Sequence, residues 1–96
     1  MTCAQWLPKY LWSKRAFGVR DMRTREHILR RFVAAFGPLP MDGFPKALAL
    51  EFRDKLLADG LAADSVRTFL AYTHNFFAEA MNADLCTANP FKGVKR

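Results

Sequence analysis

The sequence is poor in the residues that build metal centres and disulfide frameworks. It contains two cysteines and two histidines in 96 residues. Cys3 and Cys86 lie far apart, and neither has a second cysteine or a histidine at the spacing of metal ligands. We therefore expect no metal ion, no cofactor and no disulfide, with both thiols reduced as in a cytosol.

Long apolar runs are also missing. No segment of about 18 consecutive apolar residues occurs, and the stretch from Met1 to Tyr10 has neither a continuous apolar region nor a cleavage motif. The sequence predicts neither a membrane span nor a signal peptide. We accordingly expect a cytoplasmic protein.

Motifs for catalysis are absent as well. The sequence has no glycine-rich phosphate loop, no nucleophile elbow and no paired carboxylate motif. His27 and His74 have no carboxylate or thiol partner that their spacing would identify, so a surface position is the favoured interpretation for both. No catalytic residue is predicted, and the chain alone is not expected to be an enzyme.

What the sequence does contain is apolar residues and positive charge. The apolar share of 51%, with nine phenylalanines, is enough for a compact core, so residues 1–91 are expected to form one domain. The formal net charge of +6 favours a polyanionic partner. This charge is localised, because residues 9–31 hold eight bases and two acids, whereas residues 42–86 hold seven acids and four bases.

Helix formers dominate the chain, and no run alternates between apolar and polar residues as a strand would. Proline and glycine punctuation predicts four helices, over about residues 8–17, 20–36, 45–59 and 65–83. Pro8 is expected in the first turn of the first helix, and Gly37 as a left-handed cap after the second. Either Asp64 or Ser65 is expected to cap the fourth.

Two of these helices carry polar faces opposite their apolar ones. On the helix over residues 20–36, an arc of about 120° holds Arg20, Arg23, Thr24, His27, Arg30 and Arg31. Cations one turn apart suit DNA phosphates or guanine edges, and a solvated face is the alternative. Arg25 projects toward the core side instead. On the fourth helix the polar face holds Arg67, Thr68, Ala71, His74 and Asn75, which alone is a weak indication of DNA contact.

Aromatic residues surround the first predicted helix too broadly for a single core stripe. They are Trp6, Tyr10, Trp12 and Phe17. Packing over the other helices is the favoured interpretation, whereas exposed aromatics often mark a protein interface. Together with the bases of residues 20–36 they support a second hypothesis, a helical protein-interaction module that docks on an acidic partner.

Residues 24–94 contain a series of short motifs in a characteristic order. They are Thr24, Phe32, Phe36-Gly37, Leu39-Pro40-Met41, Gly60-Leu61, Ser65-Val66, Leu70, Phe76-Phe77-Ala78, Ala80, Asn89-Pro90-Phe91 and Val94. In this order and spacing, most of the chain resembles the core-binding domain of tyrosine recombinases, the phage-integrase family. Ala62 and Phe44-Pro45 depart from the family pattern, which has Ser and Ile-Thr at these helix starts.

The resemblance implies an all-α, orthogonal four-helix bundle of the SAM-like type that grips duplex DNA at a crossover site. Its second and fourth helices would lie against the major groove, and residues 92–96 would begin a linker to a C-terminal catalytic domain. The resemblance also implies a bacterial or phage protein associated with the nucleoid, whose first helix contacts neighbouring protomers through Trp6, Tyr10 and Trp12. The DNA contacts carried over are Arg20, Arg23, Thr24, His27, Arg30, Arg31, Ser65, Arg67, Thr68, Ala71, His74, Asn75, Lys92 and Lys95.

Overall fold

Four helices account for most of the chain in the computed structural model, which describes residues 1–18 and 20–95. They are α1 (Cys3–Ala16), α2 (Met22–Phe36), α3 (Lys46–Ala58) and α4 (Ala63–Asn82). No strand occurs within the described ranges, and an isolated bridge joins Thr2 to Pro40. The predicted all-α fold with four helices is confirmed. Val19 and Arg96, the last residue of the predicted linker, lie outside the described residues. None of the described helices combines the length and apolar character that a bilayer crossing requires.

α1 begins before the predicted start at Pro8, which lies inside the helix. Thr2 is the N-cap: its Oγ1 accepts from the Gln5 backbone N–H at 3.2 Å, and Gln5 Oε1 accepts from the Thr2 N–H at 2.9 Å. This capping box pairs two N–H groups that would otherwise lack partners. The predicted start at Pro8 was wrong. A proline inside a helix removes one backbone hydrogen bond, and here the capping box and the buried side chains at the start of α1 offset that loss.

The start of α4 also differs from the prediction. Its N-cap is Ala62, which has no side-chain acceptor, and neither Asp64 nor Ser65 takes that role. Asp64 lies in the first turn, where a negative charge interacts favourably with the helix dipole. The helix therefore begins without a side-chain cap, and its long buried face supplies most of its stability.

Gly37 follows α2 in a right-handed conformation, with φ −54° and ψ −40°, so the predicted left-handed cap is wrong. A Cβ at this position would lie 2.6 Å from the Val33 carbonyl oxygen and 3.3 Å from the Ala4 Cβ. The Gly37 carbonyl accepts a hydrogen bond from the Ala4 N–H at 3.0 Å. Glycine is favoured here because a Cβ would clash with the Val33 carbonyl at the end of α2, and the first turn of α1 leaves little room for it to move.

Phe32, on α2, lies at the centre of an aromatic core and is fully buried. Its ring centroid is 5.3 to 6.0 Å from those of six other phenylalanines: Phe36, Phe44, Phe52, Phe76, Phe77 and Phe91. The rings meet in tilted or edge-to-face orientations, which the quadrupole of an aromatic ring favours. This cluster joins α2, α3 and α4 to the loop before α3 and to the segment after α4.

Both cysteines are buried and free. Burial raises the pKa of the Cys3 thiol to about 12. Burial also raises the pKa of the Cys86 thiol, and the nearby Asp42 carboxylate adds to that effect. Because the thiolate is the reactive form, both residues are poor nucleophiles in the folded protein.

Replacement of Phe32 by alanine is expected to destabilise the fold by about 3–5 kcal/mol, because it removes the ring that six others contact. Phe17→Ala is the matched control, since the Phe17 side chain is 84% exposed and its loss should change stability by less than about 0.5 kcal/mol. Urea unfolding followed by circular dichroism measures both. Equal effects of the two substitutions would contradict the central role of Phe32.

Candidate nucleic-acid interface

The polar face of α2 is exposed along most of its length. Arg23, Thr24, His27 and Arg30 are exposed, Arg31 is half-buried at the edge, and Arg20 is exposed just before the helix. Since α2 begins at Met22, Arg20 lies outside it. The predicted basic face is therefore present, with its first member on the preceding turn.

Glu26 neutralises part of this face. Its carboxylate accepts from Arg15 of α1 at 2.7 Å and lies 3.3 Å from Arg30, one turn further along α2. The hydrogen bond from Arg30, followed by the charges of Arg30 and Arg15, lowers the pKa of Glu26 below its ordinary value. Arg30 is thus an exposed cation that already has a partner, and exposed pairs of this kind exchange easily for other anions.

Arg31 is engaged on the other flank of α2. Its Nη2 lies 2.7 Å from the carboxylate of Asp59, the residue that follows α3. Its guanidinium also lies over the ring of Phe69 on α4, 5.6 Å from the centroid. These contacts tie α2 to the C-terminal end of α3 and to the second turn of α4, and the Asp59 carboxylate reduces the net positive charge that Arg31 contributes to the surface.

Arg20 and Arg23 are different, because neither has an ion-pair partner among the residues that the structure describes. Both side chains lie at the N-terminal end of α2, close to the exposed Thr24 and His27 in sequence. Positive charge without an ion-pair partner among the described residues is therefore concentrated just before α2 and in its first turn.

α4 contributes a second exposed polar strip, which consists of Ser65, Arg67, Thr68, Ala71 and His74. Arg67 is 3.7 Å from Asp64, and both side chains are largely exposed, so this contact is weak. The Thr68 hydroxyl donates to the Asp64 carbonyl within the helix. The strip thus presents one loosely held guanidinium and one imidazole beside small side chains.

Asn75 does not belong to this exposed strip in the structure. Its Oδ1 accepts a hydrogen bond from the Tyr10 hydroxyl of α1 and another from Arg25 Nη1 at 3.2 Å. The amide oxygen that would pair with an adenine is therefore occupied within the protein. The sequence offers one signal of this arrangement, namely the orientation of Arg25 toward the core.

Arg25 holds α2 against α1 and α4, as its predicted inward orientation requires. Its side chain is 11% exposed; Nη1 donates to the Tyr10 hydroxyl at 2.6 Å, and Nη2 lies 3.3 Å from Asp21. The guanidinium also stacks over the Tyr72 ring, 4.6 Å from the centroid. Tyr72 in turn donates its hydroxyl proton to the Asp21 carboxylate. We call these residues, with Asn75, the Arg25 network.

The Arg25 network determines which surfaces lie side by side. It joins the first turn of α2 to the middle of α4, while the contact of Arg31 with Phe69 joins the two helices again two turns further along α2. Thr24 and His27 follow this seam on α2, and Thr68 follows it on α4, one helical turn from Tyr72. α2 and α4 therefore pack side by side along this seam, and each helix exposes a polar face.

Lys92 and Lys95 are exposed in the segment after α4. The Lys95 carbonyl accepts from Arg53 Nη1 of α3 at 3.0 Å, and the Val94 N–H donates to the Phe91 carbonyl at 3.1 Å. This part of the predicted linker is consequently held against the bundle, with its lysine side chains in solvent.

The aromatic residues of α1 divide into two groups. Trp6 and Tyr10 are buried, and the Trp6 indole N–H donates to the Phe76 carbonyl at 3.1 Å. The expectation that these two contact a neighbouring protomer is corrected, because they are used in the packing of α1 on α4. Trp12 is 72% exposed, and Phe17 is also exposed, so these two remain accessible.

Loss of the Arg25 network is expected to destabilise the protein. Arg25→Met removes the donor shared by Tyr10, Asn75 and Asp21, and should cost roughly 1–3 kcal/mol because each of these partly buried groups loses a hydrogen bond from a charged donor. Arg23→Met, on the exposed side of the same helix, should cost less than about 0.5 kcal/mol. Chemical denaturation measures both, and a stability of the Arg25 variant equal to that of the Arg23 variant would show that the network is dispensable.

No group of three His, Cys, Asp or Glu side chains that could hold a metal ion occurs in the described part of the chain. Comparison of the chain with protein-family models, with curated proteins and with solved structures gives no match. The functional assignment therefore depends on the chemistry of the surfaces described above and on the motif order in the sequence.

Proposed function

We propose that this chain is a DNA-binding module, similar to the core-binding domain of a tyrosine recombinase, that grips duplex DNA through α2 and α4 without catalytic residues of its own. The observation that carries the proposal is that two neighbouring helices each expose a polar face. Arg20 and Arg23, which have no ion-pair partner among the described residues, lie before and on α2, and the loosely held Arg67 lies on α4.

The side chains on this surface have the chemistry of a phosphate-binding face. Guanidinium groups donate two parallel hydrogen bonds, which suits phosphate oxygens and the edge of guanine. Arg30 and Arg31 hold carboxylates in the unbound protein, and the ion pair of Arg30 with Glu26 is exposed enough to exchange for a phosphate. Arg20, Arg23 and Arg67 need no such exchange.

The shape of α4 also supports approach to a groove. Ala71 lies between Arg67 and His74 on the exposed strip, and its small side chain leaves the helix backbone accessible. A helix fits the major groove of B-form DNA, where its side chains contact base edges. We infer that Arg67 and His74 flank the closest approach, whereas Asn75 serves the Arg25 network and not a base.

The resemblance to tyrosine recombinases extends the proposal to a division of labour. In that family a separate C-terminal domain performs strand cleavage, and the helical domain supplies site recognition. We propose the same role for this chain, with Lys92 and Lys95 contacting the DNA backbone as the linker leaves the bundle. The SAM-like arrangement of the helices is part of this proposal.

DNA binding should depend steeply on salt. If Arg20, Arg23, Arg67, Lys92 and Lys95 each neutralise one phosphate, the logarithm of the affinity should fall with the logarithm of the salt concentration at a slope of about −4 to −5. Fluorescence anisotropy with a labelled duplex measures this slope. An affinity that does not change with salt would reject the proposed interface.

A pair of variants with equal change in charge sharpens this test. Arg23→Ala should weaken binding and reduce the magnitude of the salt slope by about one, whereas Lys55→Ala, which changes an exposed lysine of α3, should leave the slope nearly unchanged. Equal losses in both variants would mean that net charge alone, and not the face of α2, determines binding.

A second candidate function rests on the exposed aromatics of α1. Trp12 is accessible beside the exposed Lys9, and Phe17, the C-cap residue of α1, is accessible too. Exposed aromatic residues are enriched at protein interfaces. In this alternative, α1 and the bases of α2 dock on an acidic protein. DNA binding through α2 and α4 gives Trp12 and Phe17 no role, whereas docking on a protein would bury both side chains.

Amide chemical shifts separate the two functions. Addition of a short duplex to ¹⁵N-labelled protein is expected to perturb residues 20–31 and 65–75, because these segments carry the exposed polar faces of α2 and α4. Perturbation confined to residues 5–17, or none at all, would favour the protein-interaction module over the DNA-binding one.

A further inference from the structure

We propose that the cleft between α4 and the segment after it binds a small anion with an apolar body, of the aryl carboxylate or aryl phosphate class. This site goes beyond the proposed DNA-binding function, since it requires a ligand that enters an apolar cleft and not only the contact of side chains with a phosphate backbone.

The cleft has the size and composition of a small-ligand site. Its volume is about 430 Å³, within the range of roughly 300–1,000 Å³ that such sites occupy. Leu70 and Phe91, both buried, and the half-buried Val94 form its apolar floor. Because Leu70 and Phe91 are already buried, the half-buried Val94 is the part of this floor that a ligand would mainly remove from water.

The rim of the same cleft is cationic. Arg67 and Lys95 supply its positive charge and His74 a further polar group, and no carboxylate lies among the described residues that line the cleft. Arg67 forms an ion pair with Asp64 at 3.7 Å, and both side chains of this long contact are exposed. A ligand anion at the rim would therefore meet donors without displacing a strong internal partner.

The two walls of the cleft are held in place without a ligand. The Asn89 side chain donates to the His74 carbonyl at 3.0 Å and accepts from the Phe91 N–H at 3.0 Å, which fixes the segment after α4 to the helix. Further along, Arg53 of α3 donates to the Lys95 carbonyl at 3.0 Å. A site whose walls are already ordered loses little conformational freedom when a ligand enters.

Both parts of the ligand are needed for binding. A simple anion would meet exposed cations that water already solvates, and a neutral apolar molecule would leave the rim donors unused. Duplex DNA offers phosphates to Arg67 and His74, but its bases are stacked and cannot enter the cleft to cover the floor. The combination of a cationic rim and an apolar floor thus selects an anion that carries an aromatic or aliphatic body.

The test is a titration of ¹⁵N-labelled protein, in the absence of DNA, with 2-naphthoate and separately with 2-naphthyl phosphate. We expect shifts at the amides of Leu70, Ala71 and Gly93, with a dissociation constant on the order of 1 mM for the better ligand. The difference between the two probes shows whether the rim prefers carboxylate or phosphate. Comparable shifts with acetate or with 2-naphthylmethanol would overturn the proposal, as would the absence of shifts with either aryl anion.

Variants of the rim complete the experiment. Arg67→Ala and Lys95→Ala are each expected to weaken 2-naphthoate binding about fivefold or more, because each removes a charged donor. Lys55→Ala, on α3 and outside the cleft, should bind as the unmodified protein does. Unchanged binding in both rim variants would refute the site, and the result is independent of whether the protein binds DNA.

Discussion

The contact of the Phe32 ring with six other phenylalanine rings determines how α2 sits in the molecule. Each aromatic pair contributes about 0.5–1.5 kcal/mol beyond the burial of its area. Because partners come from two other helices and two connecting segments, α2 cannot rotate about its axis without losing several of them at once. The direction of its outer, basic face follows from the packing of its inner one.

Arginine residues on α2 consequently differ in orientation, with Arg25 directed into the bundle and Arg23 into solvent. Arg25 faces inward, where a buried guanidinium would be costly without partners, and Tyr10, Asn75 and Asp21 supply them. Arg23 faces outward, with no carboxylate partner among the described residues. The inward residue positions the helix, and the outward one is available to a ligand. Two arginines two positions apart thus differ in role, because one packs inside the bundle and the other is exposed to solvent.

The number of helices and the two polar faces could be predicted from periodicity, because α2 and α4 have well-separated apolar and polar sides. The start of α1 was predictable in principle from Thr2 and Gln5, whose capping-box spacing outweighs the preference of Pro8 for a first turn. The Arg30 pair with Glu26 also follows from its spacing along one helix. Sequence spacing does not predict the Arg31 contact with Asp59 or the cleft beside Phe91, because both depend on residues far apart in sequence.

Cys3 and Cys86 have a practical consequence. One thiol lies in the first turn of α1 and the other after α4, and both are buried with a raised pKa. Alkylating reagents reach such thiols only when the surrounding segment opens. In single-cysteine versions of the chain, the rate of alkylation would therefore report local unfolding of the N-terminal turn and of the C-terminal segment separately, without an added label. Each cysteine is thus a built-in probe of local opening, Cys3 for the start of α1 and Cys86 for the segment after α4.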